Sequence, residues 1–234
     1  MALGGATVAR DALRSCGLFG HADDATLDAL AAALRVRRFR KGETVFHQGD
    51  PGDALFIVAT GSVKVVLPSH EGTEPAIVAV LGPGEFFGEL AILDGAPHSA
   101  TIVAVEPTET LVLRREAFLE LIDAEPGVRR ALLSSLAVEI RRLTGHVEDL
   151  HFLDLPGRLA SRILRLAATQ RQDGSNSVRI PWPYTQSELA GMIGGSRQSV
   201  NRLLADLADD GLVRLDRDSL VVNDIERLAR TVER

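Results

Sequence analysis

The run from Pro126 to Asp154, PGVRRALLSSLAVEIRRLTGHVEDLHFLD, constrains this chain more than any other. Leu133, Leu136, Ile140, Leu143, Val147 and Leu150 follow one another at steps of three and four. That spacing is a heptad seam, sustained longer than a helix buried in a core needs. Arg129, Arg130, Glu139, Arg141, Arg142, Glu148 and Asp149 occupy most of the other faces. Pro126 suits a first helical turn, and Pro156 marks the expected stop. At ~1.5 Å per residue the helix extends roughly 40 Å. A narrow apolar seam with charged flanks favours a parallel dimer helix over a long amphipathic helix packed on its own domain. Strand-like sequence precedes the run and helix-rich sequence follows it. It therefore reads as a rod joining two domains and two subunits.

Charge divides along the same line. The net charge of the 234-residue chain is −6. From Pro156 to Arg234 there are 12 Arg and 10 Asp or Glu, a net of +2, whereas residues 1–155 carry 14 basic and 22 acidic side chains, a net of −8. The C-terminal part, mildly basic with clustered arginines, permits a local phosphate-binding face. No apolar run approaches the ~20 residues of a membrane span, and MALGGATVARDALRS lacks the apolar core and cleavage site of a signal peptide. A cytoplasmic location is the expectation. The single cysteine, Cys16, cannot form an internal disulfide and cannot alone hold an iron–sulfur cluster.

Asp11–Leu34 has helical periodicity, with Asp24 or Thr26 as the cap of ATLDALAAALRV. From Val36 onward, short β-prone runs alternate with turns at Lys41-Gly42, Gly49-Asp50-Pro51-Gly52, Thr60-Gly61, Glu71-Gly72 and Gly82-Pro83-Gly84. Strands at such short, regular spacing predict a β-sandwich, jelly roll or roll. Phe118–Ala124 then reads as a short helix leading into the long one. Within the β region, Gly84–Gly95 (GEFFGELAILDG) stands out. Gly88 allows close backbone approach, and the residues after it can turn helical and offer N–H groups to an anion. Glu89 could accept from a sugar hydroxyl, and Ser99 could donate to a phosphate oxygen. On spacing alone, a glycine turn in a β domain with a solvated Glu is the better explanation of the stretch, since a single G-E-L is a weak signal.

Beyond the long helix, Gly157–Ala168 is a further amphipathic helix, Gln170–Ser177 a polar turn and Val178–Ile180 a short strand. Pro181-Trp182-Pro183 is extended, and Trp182 and Tyr184 read as packing residues. Thr185 and Glu188 form a capping box that opens a helix over 186–193. Gly194-Gly195 makes a tight turn, and Ser196 caps a second helix over 197–209. Val200, Leu203, Leu204 and Leu207 give that helix one apolar face, while Arg197, Gln198, Ser199, Asn201 and Arg202 crowd its first turns. Gly211 ends it, and VRLDRDSLVVN reads as a hairpin. Two short helices around a glycine turn, then a hairpin, predict a winged helix-turn-helix. The N-terminal residues of a helix in the major groove meet base edges: Arg pairs with guanine and Gln favours adenine. Ser196, Ser199 and the helix N-terminus can hold phosphates, which position without reading sequence. Ser187 on the first helix joins this set of candidate DNA contacts.

In this order the pieces resemble the cyclic AMP receptor protein/FNR family of bacterial transcription regulators, over about Leu13 to Leu228. The most specific segments are KGETVFHQGDPGDALFIVATGSVKV, GEFFGELAILDGAPHSAT, FLDLPGRLA and SELAGMIGGSRQSVNRLLADL. The resemblance implies an α+β chain: a jelly-roll-like β-roll over 1–125, a dimerisation helix over 126–154 and a winged helix-turn-helix over 155–234. It implies that a ligand in the roll shifts the long helices and re-aims the two DNA-reading helices. Gly88, Glu89 and Leu90 match the cyclic-nucleotide cassette, with Glu89 at the ribose position, and Ser99 and Ala100 match the phosphate segment. Thr144 matches a contact to the adenine base. His98 stands where cyclic-AMP-binding members usually have arginine, and Leu143 replaces another polar position. Arginine grips phosphate with two prongs and a permanent charge. Histidine, near its reference value of ~6.5, is mostly neutral at pH 7 unless a phosphate raises that value. On the DNA side, Arg197 and Arg202 sit at base-reading positions, and Gln198 sits where many members have Glu. An altered base pair in each half-site is therefore expected.

The expected function is a homodimeric regulator that binds palindromic double-stranded DNA, with RNA polymerase as a further candidate partner and no membrane partner. Three effector readings stand: cyclic AMP as allosteric effector, cyclic di-GMP or another ligand in an altered pocket, or no ligand. No cofactor is required on this reading. The histidines at 21, 47, 70, 98, 146 and 151 suggest no haem or metal ligand pair. A nucleotide-sensing module for a protein partner is the competing class. An enzyme is disfavoured, because there is no metal-ligand cluster and no nucleophile–base pair.

Overall fold

The computed structural model describes residues 3–20, 22–69, 75–170, 175–181, 184–216 and 219–232. His21, His70, the Glu71-Gly72 turn, part of the polar turn after Gln170, and Trp182 with Pro183 lie outside the described residues. The chain divides into two compact units, Met1–Pro68 with Ile77–Ile140, and Ser69–Ala76 with Arg141–Arg234.

The first unit opens with two helices, α1 (Leu3–Ser15) and α2 (Asp24–Ala33), with a break inside the periodic stretch Asp11–Leu34. The break is a turn in which Phe19 N and Gly20 N donate to Cys16 O. The cap of α2 is Asp23, whose side chain accepts from Thr26 N at 2.8 Å, and not Asp24 or Thr26.

Two four-stranded sheets follow. One has the order β1 (Arg35–Phe39), β8 (Thr108–Arg114), β3 (Ala54–Thr60), β6 (Phe86–Phe87). The other has the order β2 (Thr44–Phe46), β7 (Thr101–Ala104), β4 (Val63–Leu67), β5 (Ala76–Leu81). Strand β3 explains why its sequence, ALFIVAT, is apolar throughout. Leu55 and Ile57 point into a core shared with Leu13, Leu27, Leu111 and Phe118. Ala54, Phe56 and Val58 point the other way, onto Phe39, Val63, Phe87 and Ile102. A strand buried on both faces has no solvent side to alternate with. Helix α3 (Glu89–Asp94) follows β6, and α4 (Arg115–Ala124) follows β8, beginning three residues before the expected Phe118.

Helix α5 spans Pro126–Phe152. Pro156 does not stop it: the break falls at Leu153-Asp154, and Pro156 lies in the first turn of α6 (Leu155–Gln170). Asp154 Oδ1 accepts from Gly157 N at 2.9 Å, and proline needs no partner for a missing N–H there. In the second unit β9 (Val178–Pro181), α7 (Gln186–Ile193), α8 (Arg197–Asp209), β10 (Val213–Leu215), β11 (Ser219–Val222) and α9 (Ile225–Arg230) follow. β9 pairs with β11, so the hairpin is one part of a three-stranded sheet of order β10-β11-β9.

Candidate functional site

β6 pairs with β3, Phe86 and Phe87 lying opposite Ile57 and Phe56, and so delivers the chain to Gly88 against β3. Gly88 has φ +89, and a Cβ on it would lie 2.8 Å from Ala54 O. Only glycine takes that conformation freely in that space. Glu89 opens α3 and is half-buried, while Leu90 stays 45% exposed. Burial pushes the Glu89 carboxyl above its ordinary value. A backbone hydrogen bond opposes that rise, and the charge of Glu139 on α5 adds to it.

His98 is held by its main chain and by its ring. Its N–H donates to Asp50 O and its carbonyl accepts from Gly49 N, both at 2.9 Å. The imidazole stacks on Phe46, with centroids 3.5 Å apart and planes 6° from parallel. Phe46 in turn meets Phe56 and Phe87, which stack on each other at 5.1 Å. Gly52 closes over the imidazole: a Cβ there would lie 3.0 Å from His98 Cε1 and 2.3 Å from Ala91 Cβ. The residue is buried, and desolvation lowers its pKa although Asp50 and Asp53 pull the other way. His98 is thus a neutral ring in an aromatic wall, not a cation reaching outward as an arginine would. Ser99 is exposed beside it and Ala100 is half-buried. Leu143 and Thr144 lie exposed on α5, in the second unit.

The heptad seam is not uniform. Val128 and Leu132 are buried, and Leu136 packs on the core of the first unit. Leu133, Ile140 and Val147 are 61%, 64% and 64% exposed, and Leu143 and Leu150 are exposed with them.

In the second unit Thr185 and Glu188 form the full capping box, and Gly194 ends α7 with φ +69. Leu189, Ala190, Met192 and Ile193 bury one side of α7, and Val200, Leu203 and Leu204 bury one side of α8. The turn between them is pinned from α6. Arg158 Nη1 donates to Ile193 O at 2.9 Å and its Nε donates to Leu153 O at 3.1 Å. A Cβ on Gly195 would lie 2.9 Å from Leu155 Cδ1, so a larger residue there makes the Leu155 side chain of α6 shift. With its apolar side spent, α8 leaves Arg197, Gln198, Asn201 and Arg202 exposed on one face. Ser196 caps α8 by accepting from Ser199 N at 3.1 Å, and the two hydroxyls lie 2.9 Å apart. One hydroxyl hydrogen of that pair is left to donate outward. Ser187 is half-buried on α7.

Known proteins carry the same two modules. The cyclic nucleotide-binding domain family matches residues 36–125, and the Crp-like helix-turn-helix domain family matches residues 157–231. The chain is 35% identical over 218 residues to the CRP-like cAMP-activated global transcriptional regulator of Mycobacterium tuberculosis, covering 93% of this chain and 97% of that one. It belongs to the cyclic AMP receptor protein/FNR family. The cyclic AMP receptor protein of Thermus thermophilus is 38% identical over 189 residues, covering 81% of this chain and 84% of its own. FixK2 from Bradyrhizobium japonicum, at 21% identity, shares the fold with a TM-score of 0.73 over 84% of this chain and 96% of its own. This family member is a DNA-binding transcription regulator with a cyclic nucleotide-binding domain, and not an enzyme. Among the described residues no helix is long and apolar enough to cross a membrane. Among them, too, no group of three His, Cys, Asp or Glu could hold a metal.

Sequence reasoning missed three residues of this regulator. Phe46 lies 52 positions before the His98 that it supports, and no local pattern joins them. Glu139 reads as a solvated flank of the heptad, yet its charge reaches Glu89. Arg158, in the PGR after the long helix, offered a visible signal: a cation at the start of a helix, where the macrodipole disfavours it, needs another reason to be there.

Proposed function

We propose that this regulator works as a homodimer on a palindromic duplex, with its DNA affinity set by cyclic AMP held in the first domain. Residues 1–125 serve as the effector domain, 126–154 as the dimerisation helix and 155–234 as the DNA-binding domain. Leu133, Leu136, Ile140, Leu143, Val147 and Leu150 form the dimer seam. Arg197, Gln198, Asn201 and Arg202 read base edges, while Ser187, Ser196 and Ser199 contact phosphates. Gly88, Glu89 and Leu90 receive the ribose, Ser99 and Ala100 the phosphate, and Thr144 the adenine. His98 walls the phosphate side.

The exposed polar face of α8, set on a pinned helix-turn-helix, is the observation that carries the DNA reading. The cyclic AMP reading leans on the cyclic nucleotide-binding domain and on relatives named for that ligand. Selection from randomised duplexes tests the first. It should return a two-fold symmetric site with half-sites about one helical turn apart, and an enriched site without symmetry would sink the dimer reading. If the protein activates transcription, RNA polymerase is the next partner.

A second reading has its own observation. A buried neutral His98 and a second carboxylate, Glu139, acting on Glu89 both weaken the grip on an anionic ligand. They favour ligand-free DNA binding, or another effector whose phosphates, as in cyclic di-GMP, would have to rest on residues other than His98 and Glu89. Calorimetric titration with cyclic AMP, cyclic GMP and cyclic di-GMP separates the two. Saturable heat with cyclic AMP supports the first reading, and silence at millimolar cyclic AMP supports the second.

A further inference from the structure

Helix α3, which opens on Glu89, is six residues long. A helix that short is not stable by its own hydrogen bonds, so its place is set by what it packs on. Ala91 and Ile92 are its buried residues. A Cβ on Gly52 would lie 2.3 Å from Ala91 Cβ, so the turn that closes over His98 also closes on α3. A second hold comes from α4. Arg115 Nη1 donates to Ala91 O at 3.1 Å. That carbonyl lies in the last turn of α3, where an α-helix leaves its carbonyls without partners of their own. Gly95 caps the helix with φ +72, and a Cβ there would lie 4.0 Å from Arg115 Nη2. The guanidinium therefore sits against the C-terminal end of α3.

Arg115 is the first residue of α4, where the positive end of the macrodipole disfavours a cation. The other end of its side chain gives the reason, because the C-terminal end of α3 is the negative end of a helix. The main chain of the same residue is tied as well: Arg115 N donates to Asp53 O at 2.8 Å. Ala54, the next residue, pairs with Arg114, and its carbonyl is the one that faces Gly88. One residue thus fastens both the segment after Gly52 and the end of α3.

We infer that Arg115 is a positioning residue for the effector pocket: it fixes α3, and with it Gly88 and Glu89, against the 49–52 turn that closes over His98. Its donors are spent on the protein, so it acts on a ligand only through α3. The effect on affinity rests on the reading that a cyclic nucleotide lies on Glu89, whereas the hold on α3 does not. Glu89 stands at the free start of the helix, so a shift at its pinned end moves the carboxylate with it.

Hydrogen exchange of the full chain without ligand, followed by mass spectrometry, reads the hold on α3 directly. In Arg115→Ala the amides of 89–95 should exchange roughly tenfold faster, the effect of one hydrogen bond from a charged donor. Val63→Ala is the control: Val63 is buried in the other sheet, so its truncation should lower the urea midpoint without speeding 89–95, which open locally. Calorimetric titration should show cyclic AMP binding roughly tenfold weaker in Arg115→Ala and unchanged in Val63→Ala. Arg115→Lys, which keeps one donor on a long stem, should lie between wild type and Arg115→Ala on both measures. Unchanged exchange in Arg115→Ala, equal acceleration in Val63→Ala, or a lysine variant no better than the alanine one would overturn the inference. If the wild type gives no heat with cyclic AMP, the ligand reading fails and the exchange rates alone decide the role of Arg115.

Discussion

The imidazole of His98 lies flat on the ring of Phe46, with 3.5 Å between centroids. That stack places a titratable group inside an aromatic wall, where its charged form is disfavoured. Burial lowers the His98 pKa, so near pH 6 the folded chain binds fewer protons there than the unfolded one. The stabilising contribution is present above the unfolded value of ~6.5 and is lost as pH falls through the lower folded value. The urea midpoint should therefore drop between pH 7.5 and 5.5, and drop less in His98→Phe, which keeps a ring without a titrating group. Equal drops in both proteins would refute the role of His98.

On the proposed cyclic AMP reading, the same position governs the grip on phosphate. In the cyclic AMP reading, His98→Arg supplies the missing two-pronged cation and should tighten cyclic AMP binding roughly tenfold or more. Calorimetric titration of the two proteins measures it. Unchanged or weaker binding would mean that the wall, and not only its charge, has been rebuilt for another use.

How much of this was legible in the sequence follows from how local each signal is. The two helices of the DNA-binding motif have the bounds that Thr185, Glu188, Gly194 and Ser196 predict, because caps and turns act within a few residues. At the N-terminus the periodicity over Asp11–Leu34 runs on through a turn that Cys16 O closes by hydrogen bonds, and only a cap signal near Asp24 marks where the second helix starts. Pro156 was read as a stop, although proline opens a helix as readily as it ends one. The aromatic wall around His98 was not legible at all. The Phe46–His98 stack and the action of Glu139 on Glu89 are contacts between distant segments, set by strand pairing and by the course of α5.

Gly88 tests the backbone of the cassette. Its φ of +89 and the carbonyl of Ala54 leave no room for a methyl group. Gly88→Ala should cost roughly 1–3 kcal/mol of stability, the usual range for a forced left-handed residue. It should also displace Glu89 and weaken any ligand that Glu89 holds. Denaturant midpoints check the first effect, and a midpoint equal to wild type would count against the strained geometry.

The seam on α5 tests the assembly. Ile140 is 64% exposed, so Ile140→Arg should leave each chain folded. In a dimer it places two like charges against an apolar partner face, which opposes association. Sedimentation should give monomers at concentrations where the wild type is a dimer. A dimer that persists unchanged would move the interface off this row.

The central claim is that two copies of α8 read two halves of one site. Fluorescence anisotropy on the selected palindrome, against the same duplex with one half-site scrambled, addresses it most directly. Each mismatched base pair costs about 1–3 kcal/mol, so scrambling several should weaken binding by roughly a hundredfold or more. Arg202→Ala should weaken binding to the intact palindrome in the same assay. Equal affinity for both duplexes, or full affinity without Arg202, would contradict the account.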